Sequence, residues 1–187
     1  MLVETCVKTS RLKEYAVKLG YNMILPEEDK SENIYRVTIE SDSKEDLSKK
    51  IRKIKDSKIF LFVKPLSSEA LRYSVQNYHV KSLIVDRKNI RIFSKKSNLN
   101  LIKQYGKIVE VQLKNLEIDV IFKIINFNKW IEYPIFSSCA TTFNELWSPL
   151  EKFSLLVTLG ANEGDALKWI YNNPLLLLGR NDATNIY

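Results

Sequence analysis

The chain has 187 residues, 45% hydrophobic and 27% charged, with a formal net charge of +7. That length and apolar content predict one domain (1–187) with a sizeable core and exclude a largely disordered chain. No apolar run approaches the roughly 20 residues of a membrane-spanning helix and no signal peptide opens the chain, so a soluble, non-exported protein with no membrane partner is expected.

Val3 to Val7 reads as a short strand, and Ser10 as the cap of a helix with Leu12, Tyr15, Ala16 and Leu19 on one face and Gly20 as its stop. Met23 to Leu25 is a second strand, broken by Pro26 and the polar stretch from Glu27 to Asn33. Ile34 to Ser41 alternates as a strand should, and Ser43 with Asp46 forms a capping box before Leu47, Ile51 and Ile54 at helical spacing. Ile59 to Val63 has no polar interruption, as expected of a parallel strand covered on both faces. Ser67 or Ser68 then caps a helix with Leu71, Val75 and Tyr78 inward.

Leu83 to Val85 and Ile90 to Phe93 are read as strands separated by Asp86 to Asn89, too short for a crossover helix. Leu99, Ile102 and Tyr105 mark a short helix ending at Gly106, and Ile108 to Leu113 a strand. Ile118, Ile121, Phe122 and Ile125 define a helix running to about Trp130. Pro134 to Cys139 is the last strand. Ser148, Pro149 and Glu151 open a well-capped helix that Gly160 closes. Asn162 and Asp165 open the next, which Pro174 is expected to end, leaving 182–187 as a loose tail. Strand and helix thus alternate about eight times, which predicts an α/β fold with a parallel sheet. An open doubly wound sheet competes with a small or distorted TIM-barrel-like fold, whose helices would be missing or shortened first at 26 to 33 and 86 to 89.

Cys6 and Cys139 have no CxxC neighbour and no clustered histidines, which excludes a structural zinc site and fits a reducing compartment. If first and last strands adjoin in a barrel, the two thiols come close, and such proximity is expected to be incidental packing. His79 is the single histidine and sits on the amino side of a strand, the wrong end of a barrel for catalysis. The strand ends offer two carboxylates, Glu40 and Asp86, too few for a polynuclear metal centre. Glycine-rich phosphate loops are absent. No catalytic residue, metal ligand or cofactor of this chain is expected.

Charge placement carries more information. Residues 81 to 107 hold eight basic residues against Asp86 alone, so the rest of the chain is neutral. A positive field concentrated in one segment is the footprint of a polyanion, although a solvated surface in a lysine-rich protein reads the same way. The candidate RNA contacts are Arg72, Lys81, Arg87, Lys88, Arg91, Lys95 and Lys96, with Phe93 either in the core or stacked on an unpaired base.

The ordered set Ser-Ser-Cys-Ala at 137–140, Leu-Trp-Ser-Pro at 146–149, Leu-Gly at 159–160, Asp-Ala-Leu at 165–167, Asn-Pro at 173–174 and Gly-Arg-Asn at 179–181 resembles the archaeal and eukaryotic ribonuclease P protein component 3, the thirty-kilodalton subunit family. The resemblance implies a TIM-barrel-like fold related to metal-dependent phosphoesterases, and it favours the barrel over the open sheet. Histidines that those relatives use near the first strand are missing here, where the strand reads Val-Glu-Thr-Cys-Val-Lys-Thr.

The resemblance further implies a non-catalytic subunit, located in the cytoplasm of an archaeal cell or the nucleus for eukaryotic relatives. Its partners would be ribonuclease P RNA, precursor tRNA indirectly, and protein component 2 in a two-plus-two assembly. Any Mg²⁺ requirement would belong to the holoenzyme RNA. Trp147, Trp169 and Leu175 to Leu178 are candidates for the protein interface or for the core. The alternatives are a stand-alone barrel phosphoesterase and a generic structured-RNA-binding module.

Overall fold

Parallel strands follow one another around the molecule in chain order. The computed structural model describes residues 1–27, 32–54 and 58–179; the expected tail at 182–187 lies outside them. Among the described residues there are seven strands: β1 (Val3–Val7), β2 (Met23–Pro26), β3 (Tyr35–Ser41), β4 (Ile59–Pro65), β5 (Val80–Val85), β6 (Ile108–Gln112) and β7 (Pro134–Ser137). β3 to β7 form one parallel sheet and β1 pairs with β2 in another. Single parallel bridges join the two, Glu27 to Arg36 on one side and Val7 to Ala140 on the other. The result is a closed α/β barrel-like fold with two thin seams, between β2 and β3 and between β1 and the end of β7; the helix expected to be missing or shortened at 26 to 33 falls on a stretch of which 28–31 lies outside the described residues.

Alternation along each strand sorts the core into two layers. Leu61, Val63, Leu83, Val85, Val109 and Val111 pack outward against helices α2 (Lys44–Lys53), α3 (Ser68–Gln76), α5 (Lys96–Tyr105) and α6 (Ile118–Asn126). Phe62, Ile84, Ile108 and Ile135 belong to a separate inner cluster with Leu25. Strands buried on both faces explain the unbroken apolar run from Ile59 to Val63.

The inner layer is not wholly apolar. Arg36 on β3 and Glu110 on β6 are fully buried and joined at two points, 2.7 and 2.8 Å, while the Arg36 guanidinium also donates to the Thr5 carbonyl at 2.8 Å and lies 3.7 Å from the centre of the Phe62 ring. A second buried pair joins Lys152 on α7 (Pro149–Thr158) to Glu4 on β1, Nζ to Oε2 2.7 Å, with the Ser138 hydroxyl and amide also donating to that carboxylate. Tyr21 packs beside this group and donates to the Trp147 carbonyl at 2.7 Å; burial and the Glu4 charge push its hydroxyl far above the ordinary tyrosine range. Neither pair is visible in hydropathy, since both bury charge that must be partnered to be tolerated.

Several expectations are corrected. Cys6 and Cys139 form a disulfide across the β1–β7 seam, with Cα atoms 4.4 Å apart, because barrel closure brings residues 133 positions apart into register. Incidental contact is therefore the wrong description, and the two cysteines no longer argue for a reducing compartment. Ile90–Phe93 is not a strand but helix α4. The reason is Asn89, fully buried: its side-chain amide donates to the Pro65 and Ile84 carbonyls at 3.0 and 2.9 Å, and its carbonyl accepts from the Asp86 amide at 2.9 Å, folding the turn into a helix start. With α4 and α5 the crossover from β5 to β6 is complete, so no helix is missing after 86 to 89, and four-residue apolar runs do not separate the two periods.

Tyr78 does not face inward. α3 stops at Gln76 and Asn77 is extended, which takes Tyr78 out of the helical period. Finally, Pro174 does not end the terminal helix. A π-type turn over Lys168–Asn172 widens the spiral, and α9 (Asn173–Leu177) restarts with proline near its first position, where the missing N–H costs nothing. Leu177 from α9 joins the inner cluster with Leu176 against it, and Trp169 is buried in the outer layer, so most of that apolar stretch serves the core.

Local signals at helix ends hold where capping chemistry is explicit. Ser148 and Glu151 form the reciprocal capping box of α7, Ser67 rather than Ser68 caps α3, and Asn162 caps α8 (Glu163–Leu167). Gly160 adopts φ 96°, a left-handed conformation that glycine reaches without a Cβ clash. The first helix differs slightly: Thr9, not Ser10, is the cap, and a 3₁₀ turn precedes α1 (Lys13–Lys18).

Candidate nucleic-acid interface

At the carboxyl ends of the strands, where a barrel enzyme would place its reacting groups, opposite charges are already matched. Lys64 at the end of β4 bridges Glu40 on β3 at 3.0 Å and Asp86 after β5 at 2.7 Å. Burial disfavours the Lys64 charge, but the hydrogen bonds to Asp86 and Glu40 outweigh it and hold the amine above its ordinary range. A protonated Lys64 is neither a nucleophile nor a base, and each of the two carboxylates spends an oxygen on it.

Among the described residues one further group of potential ligands converges at this end: Cys6, Glu27 and Cys139, with ligand atoms within 4.8 Å of one another. The sulfurs are joined in the disulfide and offer no thiolate, and Glu27 is ion-paired with Lys8. Burial opposes ionisation of Glu27, yet the nearby Arg36 charge and the Lys8 contact prevail and keep its carboxyl below the ordinary range.

The basic segment is distributed over the surface in two groups. Arg87, Lys88, Arg91, Lys95 and Lys96 follow the carboxyl end of β5 on the β5–α4 turn, α4 and the start of α5, and all are exposed. Lys81 is the second residue of β5, roughly 15 Å away at the opposite end by strand rise. Arg72 lies on the exposed side of α3. The structure thus brings five of the seven cations onto one edge and leaves Lys81 and Arg72 apart from it.

Within the first group the cations differ. Arg87 pairs with Asp119 at 2.7 Å and its backbone amide donates to Glu117 at 2.7 Å; the hydrogen bond to Asp119 raises the guanidinium further above its ordinary value and lowers the Asp119 carboxyl. Lys95 donates to the Ser68 hydroxyl at 3.2 Å. Lys88, Arg91 and Lys96 make no ion pair among the described residues, so their charge is available to a ligand. Phe93 is fully buried in the outer hydrophobic layer, packed from the helix face opposite Arg91. Of the two places given for it, the core is the one its burial favours; the helical rather than extended period separates it from Arg91.

Sequence reasoning named Arg72 and Lys81 but missed the exposed ring pair that lies near them, Tyr78 and His79, between α3 and β5. Tyr78 is 79% exposed and His79 is exposed beside it, their ring centres 3.9 Å apart. The available signal was Asn77, a residue that ends helices and starts turns, immediately before the tyrosine.

Among the described residues no helix is long and apolar enough to cross a membrane. No family model matches the chain, and no curated protein matches it in sequence. In structure the chain is similar to one chain of the cryo-EM structure of archaeal ribonuclease P with mature tRNA, at TM-score 0.74 and 11% identity, covering 98% of this chain and 94% of that one. At that identity the likeness establishes a shared fold across nearly the full length of both chains.

Proposed function

We propose that this chain is a non-catalytic protein subunit of ribonuclease P, of the component 3 type, which binds and supports the catalytic RNA as it removes the 5′ leader of precursor tRNA. The single observation that carries the reading is the fold agreement with a chain of the archaeal complex over nearly all of both chains. Two features support it independently: the ordered residues from Ser137 to Asn181 that resemble the component 3 family, and the cations Lys88, Arg91 and Lys96 on one edge, which make no ion pair among the described residues. The barrel mouth agrees, because Lys64 occupies the carboxylates that a phosphoesterase would spend on metal.

In this reading phosphate contacts come from Arg91, Lys88, Lys95 and Lys96, with Arg87 contributing once it leaves Asp119. The chain has no cofactor of its own, Mg²⁺ serves the RNA, the protein partner is component 2 in a two-plus-two assembly, and the setting is cytoplasmic. Reconstitution tests it. Ribonuclease P RNA with component 2 should cleave precursor tRNA faster in Mg²⁺ when this chain is added, and this chain alone should cleave nothing. Absence of stimulation, or metal-dependent cleavage by the protein without RNA, would overturn it.

A further inference from the structure

Tyr78 forms part of the lining of two separate cavities. One, of about 680 Å³, is also lined by Lys44, Glu69, Arg72, Tyr73 and His79. The other, of about 360 Å³, is also lined by Lys81, Tyr105, Lys107 and Tyr133. Both volumes fall in the range of about 300–1,000 Å³ common for small-molecule sites. The ring is positioned by local bonding: the His79 amide donates to the Asn77 side chain at 3.0 Å, fixing the turn, and the His79 ring backs the tyrosine. An aromatic side chain with four-fifths of its surface in water gains little for the core, and the ring face turned away from His79 is open.

The charge around it has one sign in excess. Lys44, Arg72 and Lys81 make no ion pair among the described residues, and the smaller cavity has no carboxylate in its lining. Lys107 donates to the Asn77 and Val80 carbonyls at 2.8 and 2.7 Å, yet burial and the neighbouring Lys81 charge push its amine down to about 8. An anion between Lys81 and Lys107 would relieve that repulsion.

We infer that Tyr78 is a stacking platform for an unpaired base of single-stranded RNA, with the Arg72 and Lys81 cavities on its two sides receiving the flanking phosphates. The inference rests on the RNA-binding reading above and adds a second site, at the end of the barrel opposite Arg87. Stacking on an exposed ring requires a base free of its helix, so the site selects single strands over duplex.

The test is fluorescence anisotropy of the full chain with labelled oligoadenylate about ten nucleotides long, and with the same strand annealed into a duplex. Tyr78→Ala is expected to weaken single-strand binding roughly 5- to 100-fold while Tyr78→Trp preserves it. Lys81→Ala should flatten the salt dependence of single-strand binding by about 0.7. Unchanged single-strand affinity in Tyr78→Ala, or equal affinity of the wild type for duplex and single strand, would overturn the inference. So would a Tyr78→Ala effect on the molecular mass in solution in place of RNA affinity, which would assign this face to a second copy of the chain. Any of these results alongside intact stimulation of ribonuclease P cleavage leaves the subunit reading standing; loss of that stimulation in the wild type counts against the reading itself.

Discussion

Arg36 and Glu110 face one another across the interior of the barrel and are joined by two parallel hydrogen bonds, with no exposed surface on either side chain. Each is tolerable only because the other is present. Arg36→Leu should therefore destabilise the chain by about 3–5 kcal/mol in urea unfolding, since it strands the Glu110 carboxylate in an apolar layer. The double variant Arg36→Leu/Glu110→Leu should recover most of that loss. A single variant as stable as wild type would show that the pair is not formed in solution.

The Cys6–Cys139 disulfide spans 133 residues at a seam where the backbone ladder is reduced to one bridge, Val7 to Ala140, beside the Ser138 hydrogen bonds to Glu4. Closing so long a loop restricts the unfolded chain strongly, so reduction should remove roughly 3–5 kcal/mol. Thermal unfolding with and without reductant checks this. Cys6→Ala/Cys139→Ala should unfold at the reduced wild-type temperature and show no response to reductant.

Lys107 sets a pH dependence whose sign follows from its depressed amine, at about 8 in the folded chain against roughly 10.4 unfolded. Between those values the unfolded chain binds a proton that the native chain does not, so stability rises with pH across that window. Lys107→Met should abolish the rise, which is on the order of 1–3 kcal/mol in denaturant titrations at the two ends of the window. A flat wild-type profile would mean that the two carbonyl acceptors keep the amine charged.

Arg91 and Arg87 should differ in RNA binding although they are four residues apart. Arg91→Ala is expected to flatten the salt dependence of binding to ribonuclease P RNA by about 0.7–0.9. Arg87→Ala should do less, because a phosphate must first displace Asp119. Equal and full effects of both would show that the Asp119 contact is lost on binding.

Ser148→Ala should cost about 1 kcal/mol through loss of the α7 cap, since the hydroxyl accepts from the Glu151 amide at 3.2 Å and the Glu151 carboxylate accepts from the Ser148 amide at 2.6 Å.

The sequence by itself determined whatever depends on near neighbours. The caps at Ser43, Ser148 and Asn162, the stop at Gly160, and the doubly covered strand from Ile59 are all written in residues a few positions apart, because capping bonds and alternation are local. Concentration of positive charge in 81 to 107 was equally legible. Tertiary structure alone decided the rest. Ile90–Phe93 became helix because Asn89 reaches the Pro65 and Ile84 carbonyls on two different strands, and the cysteines became a disulfide because the first and last strands meet. Whether a cation is free or already spent on Asp119 depends on a partner 32 residues away, and the exposure of Tyr78 depends on where α3 lets go. Those are long-range matters of closure and partnering, which periodicity does not encode.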